Sequence, residues 1–121
     1  MFLKPKRTMF TVIYLSHQRK TRYRVWICVK EVKGYCAAGY KPGDCFEAEW
    51  FYLKPMQNTK ICLHALNAIL TLLIPFMKGI SARELGIGSE DNVGFLQCPD
   101  PGKPYTEGGT VIFEIRREKL D

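Results

Sequence analysis

Apolar and polar residues alternate from Arg24 to Val32, with Val25, Ile27 and Val29 on one side and Trp26, Cys28 and Lys30 on the other. A period of two in a run of β-branched and aromatic residues predicts a strand. The alternation returns from Cys45 to Leu53, where Phe46, Ala48, Trp50 and Tyr52 share one face and Cys45, Glu47 and Glu49 share the other. Between these runs lies "GYCAAGYKPGD", Gly34 to Asp44. Its Lys41-Pro42-Gly43-Asp44 stretch has the residues of a type II turn, because proline presets its own φ and glycine accepts a positive one. Two strands and this connection predict a β-hairpin with a long, shaped loop.

The period then changes. Cys62, Leu66, Ile69, Leu73 and Phe76 fall on one helical face, and Lys60, His64, Asn67, Thr71 and Lys78 on the opposite one. This is the pattern of an amphipathic helix laid on a sheet, with Asn58 or Thr59 as its N-cap and Pro75 ending or kinking it near Leu73. Ser81-Ala82-Arg83-Glu84 reads as a capping box and Gly86 as a stop, so a short second helix is expected. Asn92 to Cys98 and Thr110 to Arg117 read as two further strands, joined by the turn-rich "CPDPGKPYTEGG". The expected fold is α+β: a small antiparallel sheet, ordered β-β-α-α-β-β, with one main amphipathic helix packed on one face. Met9 to Ser16 is a candidate extra edge strand ahead of it.

A chain of 121 residues suits one compact domain. Its charge is unevenly spread. Residues 1–24 carry seven basic residues and no acid, whereas residues 25–121 carry eleven basic and twelve acidic ones, which together give the net +6. We therefore divide the chain into a basic arm, 1–23, and a nearly neutral α+β domain, 24–121. The longest apolar run, Cys62 to Met77, contains His64, Asn67 and Pro75 and falls short of the ~20 apolar residues of a membrane span. No small-residue cleavage site follows Met9–Leu15, so the expected compartment is the cytoplasm. There the five cysteines should be thiols, metal ligands or catalytic groups rather than disulfides.

In combination, "KGYCAAGYKPGDCFEAE", "ICLHAL", "CPD" and "VIFEIRR" resemble a family of short prokaryotic proteins with no established activity. Its pattern runs G-x-C-x-x-G-[HY]-K-x-G-D-x-F, then I-C-x-x-A, then C-P-D. The resemblance covers about residues 24–119, and the basic arm stands outside it. It implies a small domain whose recurring feature is three cysteines, matched here by Cys36, Cys62 and Cys98, with Cys28 and Cys45 outside the pattern.

Those three cysteines each fall at the end of an element, where side chains can converge. We expect them to form a cluster that binds zinc or an iron–sulfur centre, or that carries thiol redox chemistry. Helix N-terminal N–H groups favour negative charge at Cys62, and Gly34 and Gly39 let loop backbone approach a bound ion. Cys45 is the candidate fourth ligand. His64, two residues after Cys62, would point about 200° away on a helix. The bland reading is that the thiols are buried small hydrophobes. A nucleophilic Cys62 with His64 or His17 as base is a weaker option, because Cys62 falls on the apolar helix face. Asp44 and Asp100 read as turn-supporting carboxylates. The alternative function is that of a noncatalytic adapter or nucleic-acid accessory. It would act through Arg19, Lys20, Arg22 and Arg24, interleaved with Tyr14, Tyr23 and Trp26, on nucleic acid or a larger complex. No membrane partner is expected, and the small-molecule ligand stays open.

Overall fold

A computed structural model describes residues 22–120. The proposed edge strand Met9–Ser16 and the basic residues up to Lys20 lie outside the described residues. Among the described residues the elements are β1 (Tyr23–Gly34), β2 (Cys45–Glu49), β3 (Tyr52–Pro55), α1 (Leu63–Met77), β4 (Val93–Gln97) and β5 (Gly109–Lys119). The strands form one antiparallel sheet in the order β3-β2-β1-β5-β4. The long strands β1 and β5 pair down its centre, from Tyr23↔Lys119 to Gly34↔Gly109.

The alternation read in the sequence decides which face is covered. Val25, Ile27 and Val29 of β1, Phe46 and Ala48 of β2, and Val111, Phe113 and Ile115 of β5 are buried. They meet Ala65, Ile69, Leu73 and Phe76 of α1 in one core. Phe113 takes Phe46 and Tyr40 edge-on, at centroid distances of 6.2 and 5.7 Å. Burial of side chains this large stabilises by roughly 1.5–3 kcal/mol each, which is why this face fixes the strand register.

Three details differ from the expected layout. The run Cys45–Leu53 is two strands, because Trp50 has a φ of 59° and Trp50–Phe51 form the tight turn of a β2–β3 hairpin. Trp50 and Tyr52 are consequently exposed instead of extending the inward face. The helix passes through Pro75 to Met77, where the missing N–H falls in the last turn and costs a single bond. The expected second helix is one turn only. Ser81 Oγ accepts from Glu84 N at 3.0 Å, and Gly86 N and Ile87 N donate to the Arg83 and Ala82 carbonyls. These are the two ends of a helix brought together, a capping box closed at once by a Schellman stop at Gly86, whose φ is 77°.

The C-terminal end of α1 is held by a buried cation. Arg117, 7% exposed, donates to Phe76 O at 2.7 Å, Ile80 O at 2.8 Å and Asn92 Oδ1 at 2.9 Å, and stacks against Tyr23 and Phe76. A guanidinium suits this place because the last carbonyls of a helix lack partners and carry its negative partial charge.

Candidate functional site

The far end of the central β1–β5 pair is pinched. Gly34 faces Gly109 in register, and a Cβ on Gly109 would lie 2.6 Å from Tyr35 N and 2.7 Å from Gly34 C. No side chain fits there, so glycine lets the strands close. Beyond Gly34 a turn from Cys36 to Gly39 forms, with Gly39 N donating to Cys36 O at 2.9 Å. The expected Pro42–Gly43 turn follows: Asp44 N donates to Lys41 O at 3.0 Å, and Lys41 N donates to Asp44 Oδ2 at 3.0 Å.

These two turns deliver Tyr40 into the core. Its hydroxyl donates to Lys60 O at 2.7 Å and accepts from Cys62 N at 2.7 Å. Cys62 is the N-cap of α1 and has no side-chain cap bond of its own, so Tyr40 ties down the start of the helix from outside. Burial raises the Tyr40 phenol above its ordinary value. The Cys62 N–H opposes this, while the nearby Cys62, Cys36 and Asp44 groups reinforce it.

Cys98 lies at the end of β4 and is buried. Its Sγ accepts from Val111 N at 3.3 Å and lies 3.9 Å from the Gly109 and Asp100 carbonyls. The following loop is organised by Asp100, as its residue type suggested. Gly102 N donates to Asp100 Oδ1 at 2.8 Å, the Thr106 hydroxyl donates to the same oxygen, and Gly108 N donates to Thr106 Oγ1 at 3.3 Å. The Thr106 hydroxyl, then the Gly102 N–H, hold the Asp100 carboxyl below its usual range, with His64 contributing and desolvation opposing.

Cys36, Tyr40, Cys62, His64, Cys98 and Asp100 together line a cavity of about 80 Å³. The three cysteines singled out in the sequence therefore share one cavity, although they come from a loop, a helix start and a strand end. His64 joins them, against the expectation. Cys62 has extended backbone (φ −73°, ψ 128°) and is not yet helical, so the 200° argument does not apply to the pair. The cavity is far smaller than the roughly 300–1,000 Å³ of drug-sized ligand sites. Cys36 and Cys62 are half-buried thiols and Cys98 a buried one.

The ligand set expected for zinc or an iron–sulfur cluster is not supported. Among the described residues no group of three or more His, Cys, Asp or Glu side chains could hold a metal ion. Cys45 cannot serve as a fourth ligand. It is bonded to Cys28, directly opposite it in the β1–β2 register, with the Cα atoms 4.1 Å apart. Both sulfurs belong to the outward alternation, on the sheet face away from α1. The bond also corrects the expectation that all five cysteines avoid disulfides. No family model, curated protein or solved structure matches the chain.

The proposed basic surface is also changed. Arg19 and Lys20 lie outside the described residues. Arg24 is not a free arm cation: it reaches Glu47 at 2.8 Å, Glu49 at 3.3 Å and Glu118 at 3.7 Å. The Arg22 guanidinium stacks on Trp50, 4.0 Å from the ring centroid. Both arginines are engaged within the domain, Arg24 with the carboxylates of Glu47 and Glu49 among others. No helix of the described residues is long and apolar enough to cross a membrane. Sequence reasoning missed Tyr40 as the centre of the site. The available signal was its position four residues after Cys36, in the loop already singled out.

Proposed function

We propose that the Cys36–Cys62–Cys98 cavity is a site of thiol chemistry for small ligands, with Cys36 and Cys62 as the reacting pair. The observation that carries this is the shared cavity: three free thiols from distant parts of the chain, two of them half-buried, beside an imidazole and a phenol. The reaction is thiol–disulfide exchange. The thiolate of Cys36 or Cys62 attacks one sulfur of a low-molecular-weight disulfide. The ligand's S–S bond breaks, and the departing sulfur takes up a proton as free thiol. The second cysteine then displaces the remaining half, leaving a Cys36–Cys62 disulfide and a second free thiol. His64, exposed at the cavity, is placed to exchange the protons. Cys98 is buried against Val111 N and the flanking carbonyls and stays reduced.

The test uses the full chain, purified anaerobically and treated with 2-hydroxyethyl disulfide, with bonds mapped by mass spectrometry. A mixed disulfide on Cys36 or Cys62, resolving to a Cys36–Cys62 bond, is the expected result, and Cys36→Ser or Cys62→Ser should arrest it at the mixed disulfide. Reaction no faster than that of free cysteine, or confined to Cys28 and Cys45, would sink the proposal. Elemental analysis of the same sample decides the metal alternative. Stoichiometric zinc or iron that shields the three thiols would replace exchange with metal binding.

A further inference from the structure

The thiol cavity has room for little more than the sulfur end of a ligand, so whatever selects that ligand lies outside it. A larger hollow of about 420 Å³ adjoins it, a volume within the range of small-molecule sites. Three times the chain steps from a residue lining one to a residue lining the other: Tyr35 to Cys36, Asp100 to Pro101 and Gly108 to Gly109. Successive Cα atoms are about 3.8 Å apart, so the hollow begins one residue from Cys36. The ammoniums of Lys33 and Lys103 and the carboxylate of Glu107 line it, with the exposed Tyr35 and Pro101 as apolar wall. Both lysines stand on braced backbone. Lys33 lies opposite Thr110 in the β1–β5 register, and its contact with Glu31 is 4.0 Å long between two side chains that are mostly exposed. Lys103 sits in a turn closed by Gly102 O, which accepts from Tyr105 N at 2.9 Å and Thr106 N at 3.0 Å.

We propose that this hollow is the recognition subsite for the ligand of the thiol site, and that the ligand is the disulfide of a zwitterionic amino-acid or short-peptide thiol. The inference rests on the exchange reading above and names its substrate class. Two ammoniums suit carboxylates and Glu107 suits an α-ammonium, and a peptide thiol carries these groups around one sulfur. A ligand of three residues spans at most about 10 Å, enough to lie along the hollow with its sulfur at Cys36. An uncharged disulfide offers none of these groups, and a disulfide carrying only ammoniums meets two like charges for one opposite. With the zwitterion held, the Cys36 thiolate attacks the near sulfur. The ligand's S–S bond breaks, the other half leaves as a thiolate that takes up the proton Cys36 gave up, and Cys62 then displaces the bound half. The subsite thus makes Cys36 the first of the pair to react.

The test compares oxidised glutathione, 2-hydroxyethyl disulfide and cystamine on the full chain at low salt, each rate divided by the same reagent's rate with free cysteine. An exposed charge pair is worth up to about fivefold, so two lysines should give oxidised glutathione a preference of about tenfold over 2-hydroxyethyl disulfide, with cystamine slowest. Lys33→Gln and Lys103→Gln should each cut that preference severalfold, whereas Lys54→Gln, which removes the same charge from β3, should keep it. S-methylglutathione, which cannot exchange, should shift the backbone amide signals of Lys33, Tyr35 and Gly102. Exchange without preference, or an equal loss in Lys54→Gln, would overturn the subsite and leave exchange standing. No exchange with any of the three, with S-methylglutathione still shifting those amides, would overturn exchange and keep the subsite. Neither exchange nor shifts would overturn both.

Discussion

Replacing Tyr40 by phenylalanine removes one oxygen and two bonds, each 2.7 Å long, to Lys60 O and Cys62 N. Both partners then sit in a partly buried place with nothing to pair with. An unsatisfied buried group costs about 1–3 kcal/mol, less where water can reach it. Partial access puts the sum at roughly 1.5–3 kcal/mol. For a fold of this size each kcal/mol lowers Tm by about 4–8 °C, so Tyr40→Phe should melt roughly 6–24 °C below the parent by far-ultraviolet circular dichroism. The pH dependence adds a signature. Burial raises the folded phenol above its ordinary value of 10.0. Above about pH 10 the unfolded chain therefore loses this proton first. Stability from the neutral phenol is complete below that pH and falls as pH rises towards the folded value. The gap between parent and variant should narrow in alkali. Since Tyr40 anchors the Cys62 amide, alkylation of Cys62 should also quicken several-fold while that of Cys98 does not. A melting point within about 2 °C of the parent would refute the argument. An unchanged Cys62 rate despite a lower Tm would leave Tyr40 a purely structural residue.

Other expectations follow from the same geometry. Arg117→Met leaves Ile80 O and Asn92 Oδ1 without their donor, while Phe76 O keeps Gly79 N, and should cost about 1–3 kcal/mol in urea unfolding, whereas the neighbouring Arg116→Met, which loses an exposed pair with Glu114, should cost under about 0.5 kcal/mol. Gly109→Ala forces β1 and β5 apart at the cavity and should destabilise by about 2–3 kcal/mol or more, with faster labelling of Cys98 as an independent readout. The Asp100 carboxyl is held below its ordinary 3.8, so the stability it lends is present above that pH and lost as pH falls beneath it. Asp100→Asn should flatten that acid limb of a pH-dependent melting series.

Much of the architecture could be read from local pattern because burial acts through it. Val25, Ile27 and Val29, and Val111, Phe113 and Ile115, announce an inward face directly. The helix stripe was read nearly as it stands, with Ala65 rather than Leu66 its most buried early member. The failures share a cause: each depends on a partner distant in sequence or on backbone that side-chain type does not encode. Trp50 continues an apolar alternation yet takes a positive φ, a conformation for which tryptophan gives no warning. Arg116 and Arg117 look alike as letters, and only the remote helix end makes one a surface charge and the other a buried cap. Cys28 and Cys45 become partners through a one-residue choice of register. At the site the three cysteines line one cavity. The inclusion of His64 turned on whether Cys62 is inside the helix or one step before it.

Near Lys119 the first and last described residues meet, where Leu120 N donates to Arg22 O at 3.0 Å. The thiol cavity opens at the other end of β1 and β5, a distance of roughly 35–40 Å for strands of this length. A fluorescent protein, affinity handle or solid support attached just after Leu120 would therefore stand well clear of the cavity. Immobilised protein should remain as open to small disulfides as protein free in solution.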